Sequence, residues 1–333
     1  MNPPTSTPHA GAGRYAPSPT SALHLGNLRT ALVAWLLARG SGRAFRLRIE
    51  DLDQQRVAGA PRVAAEQVAD LAALGLDFDP PTVVQTERLG LYEEALGRLD
   101  VFECFCTRKD IALASTAPHA ADGLRPYPGT CRELSSAERR RRRETRPPAL
   151  RVRAGDVPFT VQDRWHGAVT APVDDFVVRR SDGAFGYHLA VVVDDLAMGI
   201  DQVCRGDDLL SSAPRHGWLA DQLGGRPPEF AHVPLVVNDE GTRLAKRDGA
   251  ISLAQVGELG WDPGRVRSLL AASLGLAEPG PTGPDGLLPG EQVTMPELLR
   301  RFDPAQLPSD PWVLPRLAKL GGGVGPAARI DSA

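Results

Sequence analysis

Residues 14–27, RYAPSPTSALHLGN, restrict the chain to a narrow set of folds. Arg14, Tyr15 and Ala16 suit a short buried strand, and Pro17 and Pro19 end it and stiffen the turn that follows. Leu25, Leu28, Leu32, Trp35 and Leu36 then recur at helical spacing. A strand, a proline-punctuated loop and a helix in that order begin a βαβ unit, so an α/β fold with a parallel sheet is expected. His24 and Gly26 fall at the helix N-terminus, where unpaired backbone N–H groups and the positive dipole end attract anions. Gly26, lacking a side chain, would let a nucleotide approach the backbone.

The pattern downstream continues that fold. FRLRIEDLD alternates Phe45, Leu47 and Ile49 with Arg46, Arg48 and Glu50, the period of a strand with one face on the core. Glu50 closes this strand, and ligands of open parallel sheets collect at strand C-terminal ends. An ordinary ion pair with Arg48 or Arg56 accounts for the same carboxylate equally well. Helices are expected over 61–74 and 87–99. Residues 101–186 have a different texture: little periodicity over 107–130, then short strands over 149–193 with a turn at Ser181-Asp182-Gly183. Between them, SSAERRRRRE predicts a Ser-capped helix carrying Arg139 to Arg143, either a solvated face or a nucleic-acid contact. The α/β pattern returns over 187–250. There the run 189–193 reads as a strand buried on both faces and closed by Asp194 and Asp195, 209–223 as a crossover helix, and 233–237 as another buried strand. A basic loop, RLAKR with Lys246, precedes helical segments within 251–320, and residues 321–333 read as a flexible tail.

With 333 residues and a formal charge of −3, the chain can fill two or three domains and has no generally basic surface. Any nucleic-acid contact must come from local arginine patches. Lysine occurs only at positions 109, 246 and 319, so each one carries more information than usual. Residues 1–13 have neither an apolar run nor a basic start and read as a disordered leader, and no stretch is apolar enough to span a bilayer, so a cytoplasmic protein is expected. Cys104, Cys106 and Cys131 cluster, which in a cytosolic protein suggests zinc rather than disulfides, whereas Cys204 reads as a small buried residue. Three thiols leave one tetrahedral position open. His119 and Tyr127 are the options, with imidazole the commoner zinc ligand.

Five blocks in order over residues 14–252 resemble the class I aminoacyl-tRNA synthetases specific for glutamate. RYAPSPTSALHLGNLRTALVAWLLAR is similar to their opening motif, with His24-Leu25-Gly26-Asn27 at the His-x-Gly-His signature. LRIEDLD, QTERLGLYEEAL, GYHLAVVVDDLAMGIDQVCRGDDLL and HVPLVVNDEGTRLAKRDGAISL follow. The residues after 250 are too few for the family's anticodon-binding region, so the chain resembles its shortened, tRNA-modifying branch. That branch also has C-x-C and Tyr-x3-Cys in the insertion, which favours Tyr127 over His119 beside Cys104, Cys106 and Cys131. The implied architecture is a Rossmann-like parallel sheet in two halves, 14–100 and 187–250, around a zinc-bearing α+β insertion, 101–186, with a short helical C-terminal region.

The resemblance implies a ligase. Glutamate would be activated by ATP with Mg2+, without tRNA, and then transferred to queuosine at the wobble position of tRNA(Asp); a monomer is the family default. Arg14 and Arg205 would anchor glutamate, Ala16 and Ser18 line its pocket, and Glu50 and Tyr187 receive its ammonium group. His24, Gly26, Asn27 and Lys246 would handle ATP, with His24 and Lys246 the catalytic pair. Ser21 stands where the family has Gly, Asn27 replaces the second signature histidine, and Ala245 replaces the serine of the lysine loop, a change expected to slow adenylate formation. Two other readings fit the same motifs: a truncated enzyme charging the 3′ end of tRNA(Glu), and a non-catalytic zinc-containing RNA-binding protein.

Overall fold

Strand β1 (Ala12–Tyr15) forms where the sequence places it, and all of its residues are buried. In the computed structural model of the protein, which describes residues 11–53, 57, 59–107, 109–111, 127–242 and 251–320, helix α1 (Leu25–Gly40) leads to β2 (Ala44–Ile49), parallel to β1. Helix α2 (Ala60–Ala73) leads in turn to β3 (Val83–Val84), parallel to β2. A 3-10 turn and α3 (Leu89–Gly97) come next, close to the helix expected over 87–99.

The middle of the chain forms β4 (Val101–Cys104), α4 (Ser136–Arg143), β5 (Ala149–Val152), β6 (Val157–Asp163), β7 (Gly167–Val173) and β8 (Val177–Arg179). Ser135 caps α4 with Glu138 in a capping box, as its sequence requires. Strands β4, β5 and β8 make a small antiparallel sheet, while the β6–β7 hairpin joins the main one.

Helix α5 (Tyr187–Ala197) corrects the reading of 189–193 as a strand. Leu189 to Asp195 are all buried, so the segment has no polar face to reveal a helical period. Packing overrides the strand preference of Val191 to Val193. Strand β9 (Ile200–Gly206), a 3-10 turn, α6 (Ala213–Gln222) and β10 (Glu229–Val233) complete the main sheet. Its order is β3-β2-β1-β9-β10-β6-β7, and every pair but β6–β7 is parallel. The sequence runs outward from β1 on both sides, so the crevice at the C-terminal ends of β1 and β9 is the switch point where such sheets bind ligands.

Strand β10 ends at Val233 rather than running on to Val237, because Pro234 has no N–H to donate. Val236–Val237 form β11, and after α7 (Leu253–Glu258), α8 (Pro263–Ala272), the hairpin β12 (Thr282–Gly283) and β13 (Gly286–Leu287), and α9 (Met295–Arg301), strand β14 (Trp312–Val313) pairs with β11. Two compact units result. One takes residues up to Ser21, Val33–Gln67 and Asp77–Val233; the other takes Ala22–Leu32, Val68–Leu76 and the chain from Pro234 onward. No described helix is long and apolar enough to cross a membrane. The leader and the tail after residue 320 lie outside the described residues.

Arg48 departs most from its sequence reading. It lies on no solvated face: its side chain is fully buried, with Glu50 at 2.9 Å, Asp195 at 2.6 Å and Asp194 at 3.6 Å. Asp194 also accepts from Gln85, Arg88 and Tyr92. Breaking a buried cluster of this kind typically costs about 3–5 kcal/mol, because uncompensated charge stays behind. Arg48→Met is therefore expected to lower unfolding free energy by about that amount in urea titrations at pH 7, while Arg62→Met, on the exposed face of α2, changes it by less than about 0.5 kcal/mol.

Candidate active site

Arg14, Glu50 and Arg205 come from the C-terminal ends of β1, β2 and β9, three neighbouring parallel strands. Arg14 is 5 % exposed; its Nε donates to Asp195 at 3.4 Å and its Nη1 to the Cys204 carbonyl at 3.3 Å. Glu50 follows β2 and accepts two hydrogen bonds from Arg48. It thus makes the ion pair that was its alternative reading while staying at the strand end. Burial raises the Glu50 carboxyl above its ordinary range even though Arg48 and Arg14 pull the other way. Asp195 is equally desolvated, yet Arg48 and Arg14 hold it below the carboxylate range. Tyr187 opens α5, 43 % exposed, with its ring against His188 and His216. Ala16 and Ser18 lie in the loop after β1, where the Ser18 carbonyl accepts from Gln67.

Arg205 lies inside β9, and its surroundings could not be read from local pattern. Its Nε donates to His232 Nε2 at 2.9 Å, Nη2 to the Leu209 carbonyl at 3.0 Å, and Nη1 meets His216 Nδ1 at 3.0 Å. His232 Nδ1 meets Asp163 Oδ2 at 2.6 Å, and His216 Nε2 meets His188 Nδ1 at 2.9 Å. Burial lowers all three histidines, His188 to about 3, with the positive charge of Arg205 adding to the effect. Cys204 is buried in the same strand, as its apolar context suggests.

His24, in the other unit, is the N-cap residue of α1. Its Nδ1 accepts the N–H groups of Gly26 and Asn27 at 3.1 and 3.3 Å, while Asn27 Oδ1 accepts the His24 N–H at 3.2 Å. This is a capping box built from His and Asn. The Leu25 N–H is bound by the Ile251 carbonyl. The amides expected to be unpaired are therefore taken, and the ring proton belongs on Nε2. A Cβ on Gly26 would lie 2.9 Å from His24 Cε1, so the glycine makes room first for the imidazole itself. Lys246 and Ala245 lie outside the described residues.

The sulfurs of Cys104, Cys106 and Cys131 all lie within 4.8 Å of one another. Cys106 and Cys131 are 3.6 Å apart, close to the roughly 3.7 Å edge of a tetrahedron with metal–sulfur bonds of about 2.3 Å. The Tyr127 hydroxyl sits 3.5 Å from Cys104 Sγ and accepts the Cys131 N–H. The three thiols are close enough to hold one metal ion together. Desolvation and the neighbouring thiols push Cys106 up to about 12. His119 lies outside the described residues.

A parallel sheet with its binding crevice at β1 and β9, opening with a His-x-Gly helix cap, defines a class I synthetase catalytic domain. The family model for tRNA synthetases class I (E and Q), catalytic domain, matches residues 12–278. The glutamyl-Q tRNA(Asp) synthetase of Nocardia farcinica is 53% identical, the match covering 91% of this chain and 93% of the relative. That of Symbiobacterium thermophilum is 43% identical, over 93% and 98%. The crystal structure of glutamate-tRNA synthetase from Elizabethkingia anophelis aligns with 89% of this chain at 27% identity and a TM-score of 0.70; the chain spans 66% of that enzyme's length. The chain belongs to the glutamyl-Q tRNA(Asp) synthetase family of ligases.

The buried histidines give stability a defined pH dependence. Their folded values lie below the unfolded value near 6.5, so the unfolded chain binds more protons below that pH and stability falls as pH falls. Between pH 6 and 5 each such histidine contributes a slope approaching about 1.4 kcal/mol per pH unit. Urea titrations at pH 7, 6 and 5 are expected to follow this slope, and His188→Gln to make it shallower.

Proposed function

We propose that the protein activates glutamate with ATP, without tRNA, and transfers it to queuosine at the wobble position of tRNA(Asp). The observation that carries this reading is the switch-point crevice, where buried Arg14 and Arg205 and the carboxylate of Glu50 come from adjacent strands. Guanidinium groups suit the substrate's carboxylates and Glu50 its ammonium group. Tyr187 supplies an amphipathic wall, and Ala16 and Ser18 the remaining lining. The names of the relatives support the same substrate and acceptor.

The carboxylate of glutamate attacks the α-phosphate of ATP, and pyrophosphate leaves. His24 Nε2–H and Lys246 would stabilise the phosphate charge that develops. Bound Mg2+ would screen the same phosphates. A queuosine hydroxyl then attacks the acyl carbon, an ester forms and AMP leaves. No protein nucleophile is needed; positioning and electrostatics carry the chemistry. Residues 14–100 and 187–250 would serve as the catalytic halves and 101–186 as the insertion. Cys104, Cys106, Cys131 and Tyr127 would hold one structural zinc ion. The exposed arginines of α4 are candidates for the tRNA backbone.

ATP–pyrophosphate exchange is expected with glutamate in the absence of tRNA; no exchange with any amino acid would sink the catalytic reading. Labelled glutamate is expected on queuosine-containing tRNA(Asp) only, in the anticodon fragment after nuclease digestion. Label at a 3′ end would point to the truncated enzyme that charges tRNA(Glu). Elemental analysis is expected to find about one zinc per chain, lost in Cys104→Ser. Tyr127→Phe should release the metal faster to a chelator, and unchanged release would exclude the phenol as a ligand.

A further inference from the structure

Three arginines are buried around the crevice, and they differ in what neutralises them. Arg48 lies against three carboxylates, and Arg14 has Asp195 at 3.4 Å. Arg205, 5 % exposed, has no carboxylate within ion-pair distance among the described residues; it donates to two imidazoles and a carbonyl, the Tyr187 hydroxyl is a further neutral partner, and Asp195 acts on it only at longer range. A buried cation without an anion is costly, so an arrangement that supplies only neutral acceptors calls for a physical reason.

Hydrogen-bond direction fixes the protonation of each neighbour. A guanidinium only donates, so His232 Nε2 and His216 Nδ1 must be unprotonated acceptors. The proton of His232 then sits on Nδ1 and goes to Asp163, which also accepts the backbone N–H of Trp165 and His166. The proton of His216 sits on Nε2 and goes to His188 Nδ1. Every bond from Asp163 to His188 then has one donor and one acceptor. A neutral ring stands between the Asp163 carboxylate and Arg205.

We propose that His216 and His232, the latter oriented by Asp163, are positioning residues that hold the Arg205 guanidinium flat while leaving its charge for the substrate's carboxylate. This inference rests on the reading of the crevice as a glutamate site. A carboxylate in either acceptor position would hold the arginine equally well but would compete with the substrate. The histidines therefore set affinity for an anionic side chain, and they act through Arg205 without touching the substrate.

The test compares isosteric substitutions at His216 by the glutamate KM in ATP–pyrophosphate exchange, with the ATP KM as an internal control. His216→Asn offers an oxygen acceptor near Nδ1 and is expected to keep the glutamate KM within about threefold of the parent, whereas His216→Ala, which loses it, raises KM roughly tenfold or more. His216→Asp has the shape of Asn with a charge and is expected to raise KM roughly ten- to a hundredfold, with the ATP KM unchanged. Equal KM values for the Asn and Asp variants would overturn the proposal, as would Asn behaving like Ala. Should the Asp variant fail to fold, the Ala and Asn comparison and the His232→Gln variant, expected to stay within about threefold, decide it by the same measure. A parent protein that exchanges with no amino acid would refute the glutamate reading instead, and exchange insensitive to all these variants would refute only the histidine cradle.

Discussion

Burying Arg48 is the constraint on which the catalytic sheet depends. A guanidinium with no exposed surface has to be matched by anions brought from elsewhere in the chain, and here Asp194 and Asp195 arrive on α5 while Glu50 closes its own strand. That requirement fixes the face that α5 turns toward β2 and ties a helix near residue 190 to a strand near residue 48. It also sets the crevice's electrostatics. Asp195 is shared between Arg48 and Arg14, so the first strand's arginine enters the site already partly neutralised, in contrast to Arg205 on the neighbouring strand β9.

What the sequence made legible was local. The proline-punctuated loop, the Ser-capped arginine helix and the Cys104-x-Cys106 pair each depend on residues a few positions apart, and the structure has all of them; Cys131, 25 residues on, joins the pair as the clustering suggested. Glu50 could be placed because a strand's end shows in the alternation before it. The helix over 187–197 could not, since a segment buried all round shows no period. Arg48 was misjudged for a related reason: an arginine alternating with apolar residues looks solvated until Asp194 and Asp195, about 145 residues away, are known.

The histidines around Arg205 were hidden in the same way. His188, His216 and His232 lie on α5, α6 and β10, and the parallel pairing of β9 with β10 brings His216 and His232 to one arginine, with His188 behind His216. A list of titratable residues in the sequence gives no hint that three of them share two protons' worth of hydrogen-bond direction. Their signal is in the topology: a buried cation at a switch point, with His216 on the helix that follows one strand and His232 on the neighbouring strand.

The cap of α1 has a consequence for how readiness is encoded. His24, Gly26 and Asn27 bond one another within four residues, so the imidazole tautomer is set as soon as the first helical turn closes. One ring nitrogen accepts from the backbone and the other carries the proton. The side chain proposed to meet a phosphate therefore has its donor defined by its own immediate neighbours in sequence, before any distant part of the chain has been consulted. Asparagine in the fourth position of the signature is, in these terms, a lock on the histidine in the first.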